Sequence, residues 1–111
     1  MIVSQKIESY SLQILSNYAG GGGYQIGFVY LYGANQKYLG HLGIIKNNQS
    51  LPQNKQDNQG ALNIYFHEAE LQSILDTLRN ETFVSLEFNP SSKWASITTN
   101  KETAGKGELA A

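Results

Sequence analysis

Aromatic and basic side chains alternate along several segments of this chain, and they are the residue types best suited to binding chemistry. The sequence holds seven Tyr, four Phe and one Trp. Stacking on an aromatic ring accepts any nucleobase and a lysine neutralises a phosphate, so this combination is typical of surfaces that bind single-stranded nucleic acid. The candidate stacking residues are Tyr30, Tyr32, Tyr38 and Trp94, and the candidate phosphate contacts are Lys37, Lys46 and Lys93.

The same aromatic residues have a second interpretation, because large aromatic side chains also dominate cores and subunit interfaces. Tyr24, Phe28, Tyr30 and Tyr32 share one face of a segment that is apolar on both sides. On this alternative the domain oligomerises through its aromatic sheet face, and a two-fold homodimer is the expected form. A third alternative is a small-molecule pocket between the predicted sheet and helix.

The histidines form no metal-binding or catalytic motif. His41 and His67 are too few for a three-ligand zinc site unless carboxylates join them, and the pattern H-E-x-x-H fails because position 71 is Leu. We expect His67 to cap a helix and His41 to have a structural or surface role. The chain also has no cysteine and no G-x-S-x-G turn. We therefore predict a protein without enzymatic activity, cofactor or metal.

A run of four glycines at positions 20–23 invites comparison with phosphate-binding loops. Such a loop needs a helix N-terminus directly after it, because the helix amides contact the phosphate. Here a strand pattern follows the glycines instead. Glycine tolerates positive φ and close turns, so we predict a hairpin-type turn at this run.

Length and composition indicate one water-soluble domain. The chain has 111 residues, of which 41% are hydrophobic, and a formal net charge of −1. That charge creates no global attraction to polyanions, so nucleic-acid binding would have to come from a local patch. No apolar run approaches the roughly 18 residues that a membrane helix needs. Lys6 and Glu8 interrupt any signal-peptide pattern, and we expect a cytoplasmic protein.

Alternation of apolar and polar residues predicts the strands that position these side chains. The predicted strands cover residues 9–15, 24–32, 37–46, 60–66, 82–89 and 93–99. They form an α+β domain at residues 1–99, with one antiparallel sheet of about six strands in the order β-β-β-β-α-β-β. Val3 and Ile7 fall on the opposite parity from Tyr10, which indicates a bulge near Glu8 or a separate edge segment.

One amphipathic helix is predicted at about residues 67–80. Leu71, Ile74, Leu75 and Leu78 recur at helical spacing and form a single apolar stripe. We expect this stripe to pack on one face of the sheet, which leaves the other face to solvent, a second subunit or a ligand. Residues 47–59 are rich in Asn and Gln and predict a mobile loop, and the polar residues 100–111 predict a disordered tail.

The order of the predicted elements, four strands followed by a helix, resembles the single-stranded-DNA-binding transcriptional regulator fold of the plant Whirly proteins and the positive-cofactor coactivators. Residues 62–108, LNIYFHEAELQSILDTLRNETFVSLEFNPSSKWASITTNKETAGKGEL, are similar to small cyanobacterial proteins of unknown function grouped with that fold. The chain lacks the Lys-Gly-Lys-Ala-Ala-Leu type motif of Whirly proteins, and it adds a hairpin at residues 82–99 after the helix. The resemblance implies binding of single-stranded nucleic acid and assigns no residue to it.

Overall fold

The strands form where apolar and polar residues alternate, and the helix forms where the apolar spacing changes to three and four residues. The computed structural model describes residues 2–16 and 24–100. Over these residues it contains eight strands and one α-helix, and short 3-10 turns at Ala34–Gln36 and Glu68–Glu70. The elements are β1 Val3–Ile7, β2 Ser9–Ile14, β3 Gln25–Tyr32, β4 Tyr38–Ile45, β5 Lys55–Gln56, β6 Leu62–His67, α1 Leu71–Asn80, β7 Val84–Phe88 and β8 Ala95–Thr99.

The prediction of an α+β fold with one helix is confirmed, but the strands form two sheets rather than one. A five-stranded sheet has the order β2-β3-β4-β6-β5, and a three-stranded sheet has the order β1-β7-β8. The chain changes sheet at Glu8, because Ile7 pairs with Val84 whereas Ser9 pairs with Tyr32. The parity change around Glu8 therefore marks a separate edge strand, which is one of the two predicted alternatives.

The larger sheet is also mixed rather than antiparallel. Strands β4 and β6 run parallel, and the other pairs in both sheets are antiparallel. A parallel neighbour requires a long crossover connection, which residues 46–61 supply. Within this connection β5 pairs with β6, and the Asp57 carboxylate accepts hydrogen bonds from the backbone N–H groups of Gln59 and Ala61. The mobility of residues 47–59 stays a prediction.

One cluster of buried side chains joins both sheets and the helix. From the helix, Ile74 is buried, and Leu71 and Leu78 pack against the cluster. Three of the four residues of the predicted stripe therefore face the core, and Leu75 is not among the side chains that pack against the cluster. The helix and the three-stranded sheet together cover the inward face of the larger sheet. The buried members of the cluster are Ile7, Val29, Leu31, Leu39, Leu42, Ile44, Leu62, Ile64, Ile74, Val84, Leu86 and Phe88.

The helix begins later than predicted, because a 3-10 turn separates β6 from α1. The α-helix begins at Leu71, after the 3-10 turn, and His67 makes no side-chain cap hydrogen bond to that turn. His67 therefore occupies the N-cap position of the 3-10 turn that precedes the α-helix, but its side chain does not cap it. Its Nε2 atom lies 2.7 Å from the backbone oxygen of Gln49, so His67 instead ties the crossover connection to the end of β6.

Two predictions concern residues that the structure does not describe. The predicted turn at glycines 20–23 and residues 101–111 of the predicted tail lie outside the described residues. Within residues 2–16 and 24–100, no helix has the length and apolarity that crossing a membrane requires.

Candidate functional site

The outward face of the five-stranded sheet carries a continuous group of aromatic side chains. Directly paired residues in a sheet project to the same side, and the register places three rows of side chains opposite the core. The central row runs across all five strands through Ser11, Tyr30, His41, Asn63 and Lys55. We call this surface the aromatic face, and its ring-bearing members are Phe28, Tyr30, Tyr32, Tyr38, His41 and Tyr65.

A second row passes through Gln13, Phe28, Gly43 and Tyr65. Gly43 provides the space that the Tyr65 ring occupies, because a Cβ atom at position 43 would lie 2.7 Å from Cδ1 of that ring. The same Cβ would lie 2.6 Å from Nε2 of Gln25. The absence of a side chain at Gly43 thus lets Tyr65 lie flat against the sheet beside His41.

The rings on this face contact one another rather than standing alone. Phe28 and Tyr30 stack with centroids 5.6 Å apart and planes 16° from parallel. His41 meets Phe28 edge-on at 5.3 Å, and it meets Tyr30 and Tyr65 at 6.3 and 6.4 Å. These spacings lie in the favourable range for aromatic pairs. The face is therefore a packed aromatic surface on which each of these rings contacts its neighbours.

Hydrogen bonds hold the polar ends of three tyrosines. The Tyr30 hydroxyl donates to Oε1 of Gln13 over 2.9 Å. The Tyr38 hydroxyl lies 3.3 Å from Nδ1 of His41, and the Tyr32 hydroxyl lies 3.5 Å from Oγ of Ser11. Tyr32 and Tyr38 also contact each other, with centroids 6.0 Å apart. The hydroxyl groups thus have hydrogen-bond partners within the protein, while the Tyr30 and Tyr32 side chains stay partly exposed and Tyr38 is exposed.

The electrostatics of the face favour neutral rings at neutral pH. Burial lowers the pKa of His41, an effect that Asp57 opposes and Lys55 reinforces. Burial also raises the pKa of Tyr38, and the neighbouring Tyr30 and Tyr32 add to the increase. His41 and Tyr38 are therefore uncharged at pH 7. Lys55 brings a positive charge to the edge of the face, where β5 ends the sheet.

The structure brings together some of the predicted site residues and separates others. Tyr30, Tyr32 and Tyr38 lie side by side on the aromatic face. Lys37 and Lys46 lie at opposite ends of β4, about 30 Å apart at the usual rise of a strand.

Lys93 and Trp94 lie in the turn between β7 and β8, on the other sheet. That turn contacts the β5–β6 edge, because Asn54 donates to the Lys93 carbonyl oxygen and accepts from the Tyr65 N–H. Trp94 is half-exposed, and within the described residues it makes no ring contact with the aromatic face. The predicted set therefore divides between two neighbouring surfaces.

Sequence reasoning missed several members of the aromatic face as binding residues. Phe28 has the same parity as Tyr30, and Tyr65 has the opposite parity from the buried Leu62 and Ile64, so the alternation itself could have identified both. No sequence pattern indicated that Lys55 and Asn63 lie beside these rings. Their placement depends on the pairing of β5 with β6, which is a long-range contact.

A groove lies between α1 and β8, apart from the aromatic face. This groove has a volume of about 440 Å³, and it is lined by apolar side chains, among them Phe66, Ile74 and Ile97, with His67 and Glu70 also contributing. It corresponds to the pocket between sheet and helix that was the third alternative. Over the described ranges, no three His, Cys, Asp or Glu side chains are grouped so that they could hold a metal ion.

Comparison of the chain with protein-family models, with curated proteins and with solved structures finds no match. The case for function therefore depends on the geometry and chemistry of the aromatic face.

Proposed function

We propose that this protein is a non-enzymatic binding domain whose aromatic face binds single-stranded nucleic acid. The observation that carries the proposal is the open surface on which Phe28, Tyr30 and Tyr65 surround His41 with partly exposed, mutually packed rings. Sheet faces of this composition suit unpaired bases, because every base has a flat surface that stacks on an aromatic ring. The resemblance to the Whirly-type fold points in the same direction and stays a prediction.

The polar groups around the rings suit the rest of a nucleotide. Asn63 borders the rings in the central row and Gln13 borders them in the second row. The side-chain amides of both can donate to and accept from base edges. Lys37, Lys46 and Lys55 lie around the periphery, where a phosphate backbone would leave the face. Stacking supplies most of the binding energy in this arrangement, at about 1–3 kcal/mol per base.

The small number of lysines predicts a weak dependence on salt. If three lysines contact phosphates, the logarithm of the binding constant falls with the logarithm of salt concentration at a slope of about −2 for a single strand. A strongly basic protein gives a much steeper slope. Labelled single-stranded oligonucleotides, titrated at low and at moderate salt, measure both the affinity and this slope.

Substitution of Tyr30 by Ala tests the site. Because Tyr30 stacks on Phe28 at the centre of the face, Tyr30→Ala is expected to weaken binding by about tenfold or more. Tyr24→Ala is the matched control, since Tyr24 is more exposed but is not among the rings that contact one another on the face. Absence of binding at tens of micromolar protein in low salt, or equal losses in both variants, would contradict the proposal.

The alternative function is self-association through the aromatic face. The observation that favours it is the composition of the surface, which is aromatic and neutral at pH 7, as the centres of subunit interfaces are. In that case Tyr30→Ala shifts the solution mass from dimer toward monomer, and Tyr24→Ala does not. Oligonucleotide binding by a stable monomer excludes this alternative.

A further inference from the structure

We propose that two copies of this chain associate through the free edge of β2, so that their five-stranded sheets join into one continuous sheet. The partner is a second copy, and the interface is the strand edge rather than the aromatic face. This inference goes beyond nucleic-acid binding and does not depend on it.

The four sheet edges differ in how well they are protected from pairing. Edge strands normally carry charges, are very short or are covered by another element, since an open edge pairs with other chains. Strand β5 is only two residues long and includes Lys55. Strand β1 carries Lys6, which forms an ion pair with Glu8. Strand β8 carries no charge and α1 lies on the far side of the groove beside it, but β8 exposes no large apolar side chain.

Strand β2 has none of these protections within the described residues. Its sequence, SYSLQI, contains neither a charged residue nor a proline, and it is six residues long. Leu12 and Ile14 lie on the core side of the sheet, yet 45% and 59% of their surfaces are exposed. The three-stranded sheet therefore stops short of β2 and leaves apolar side chains uncovered beside an open edge.

The backbone of β2 fixes which residues can pair with a second chain. The Leu15 N–H donates to the Ile26 oxygen of the neighbouring strand, over 2.9 Å. Because antiparallel residues alternate between facing the neighbour and facing away, Ser9, Ser11 and Gln13 also face β3. The N–H and C=O groups that face outward are those of Tyr10, Leu12 and Ile14.

A two-fold axis at Leu12 pairs these outward groups with one another. Leu12 then lies opposite Leu12 of the partner subunit, and Tyr10 lies opposite the partner's Ile14. Apolar side chains meet apolar side chains on the core side, and Ser11 meets the partner's Gln13 on the other side. This register pairs the outward backbone groups of β2 and at the same time covers Leu12 and Ile14. Because both subunits use the same surface, the contact is isologous and the assembly stops at a dimer.

The symmetry has a consequence for the aromatic face. Residues paired across a sheet project to the same side, so the axis stands perpendicular to the sheet and both aromatic faces point the same way. A dimer of this geometry presents two aromatic faces side by side on one surface. A single strand of nucleic acid that crosses both would contact about twice as many rings as on one protomer.

Solution mass measurements over a wide concentration range test the interface. The wild-type chain is expected to be a dimer at hundreds of micromolar, and Leu12→Lys is expected to weaken the dimer by at least about tenfold, because it places like charges opposite each other at the axis. Leu51→Lys is the matched control, since Leu51 is similarly exposed at 42% and lies away from β2. Thermal melts confirm that both variants are folded.

A cross-linking experiment tests the register. The chain has no cysteine, so Leu12→Cys introduces a single thiol whose partner is its own symmetry mate. Hydrogen-bonded antiparallel residues have Cα atoms about 5.5 Å apart, which suits a disulfide. Under mild oxidation Leu12→Cys should cross-link faster than Leu51→Cys, at concentrations where the wild type dimerises.

Three results would overturn the inference: a monomer at the highest concentration, equal dimerisation of wild type and Leu12→Lys, or equal cross-linking of the two cysteine variants. Failure of the dimer is distinguishable from failure of nucleic-acid binding. A monomer that still binds oligonucleotides, with Tyr30→Ala defective, removes only the dimer. A dimer that binds no oligonucleotide removes only the proposed function.

Discussion

His41 lies at the centre of the aromatic face, where its ring meets Phe28, Tyr30 and Tyr65. The sequence predicted a structural or surface role for this residue, and the ring contacts are consistent with the structural one. Alternation along single strands could predict which tyrosines share a face. It also places Tyr65 on the outward parity of its own strand, but it could not predict that the His41 and Tyr65 rings meet, because that contact depends on the parallel pairing of β4 with β6.

The lowered pKa of His41 predicts a pH-dependent stability. In the unfolded chain the imidazole titrates near pH 6.5, whereas in the folded protein burial shifts its pKa below that value. As the pH falls through 6.5, the unfolded chain takes up a proton before the folded protein does, so the free energy of unfolding decreases. Above that range both states are neutral and His41 contributes no pH dependence.

Chemical denaturation at several pH values, comparing wild type with His41→Gln, measures this effect. The wild type is expected to lose more stability between pH 7.5 and pH 5 than the variant loses. The comparison uses the change with pH rather than the absolute stability, because His41→Gln also removes ring contacts. Parallel pH profiles of the two proteins would show that His41 titrates normally.

At the scale of elements, local sequence patterns predicted the strands whose alternation is regular. They failed for strands that form only because of pairing with a segment distant in the sequence. Strands β2, β3, β4, β7 and β8 and the helix lie within predicted segments, and β6 extends one residue beyond its predicted segment, to His67. Strand β5 is two polar residues whose own sequence carries no strand signal, and it exists because β6 offers an open neighbour. For β1 the parity change predicts either a bulge or a separate edge segment, because parity alone does not reveal a second sheet.

The turn between β7 and β8 holds Lys93 in a strained conformation. Its φ is 67°, a left-handed value that costs a non-glycine residue about 1 kcal/mol or more. The Asn89 side chain organises the turn by accepting from the N–H groups of Ser91 and Ser92. The turn keeps these bonds when residue 93 changes, since Lys93 takes no part in them and itself donates only its backbone N–H, to the Asn89 carbonyl oxygen.

Lys93→Gly is therefore expected to raise the free energy of unfolding relative to Lys93→Ala, by up to about 1 kcal/mol. Both variants remove the charge, and only the glycine relieves the backbone. Denaturant titrations of the two variants measure the difference. If the alanine variant is as stable as the glycine variant, the left-handed conformation carries no cost at this turn. The salt slope of oligonucleotide binding should be equal in both variants and in wild type, because Lys93 lies on the other sheet and is not one of the three lysines around the aromatic face.

At the scale of the whole molecule, the second sheet explains why the aromatic face is open. The three-stranded sheet and α1 share one buried cluster with the inward face of the larger sheet. No element among the described residues is left to cover the outward face. The sequence predicts one covered and one uncovered sheet face, but it predicts that the helix alone covers the inward face. It could not predict two sheets, because the crossing at Glu8 is visible only when β1 finds its partner β7.

A shared core predicts that both sheets unfold together. Leu86 lies on β7, is fully buried and belongs to the cluster that includes Leu31 and Leu42 of the larger sheet. Leu86→Ala is therefore expected to lower the free energy of unfolding of the entire protein by about 2–5 kcal/mol, with one transition. Leu51→Ala makes the same chemical change at an exposed position and should cost far less.

Two probes distinguish joint from separate unfolding. Trp94, the single tryptophan, adjoins the three-stranded sheet, and its fluorescence reports on that sheet. The near-ultraviolet signal of the packed tyrosines reports on the aromatic face of the larger sheet. In wild type and in Leu86→Ala, the two signals should change at the same denaturant concentration, and both should shift together in the variant. A variant that loses only the Trp94 signal, with the tyrosine transition unmoved, would mean that the five-stranded sheet and its aromatic face are stable without the second sheet.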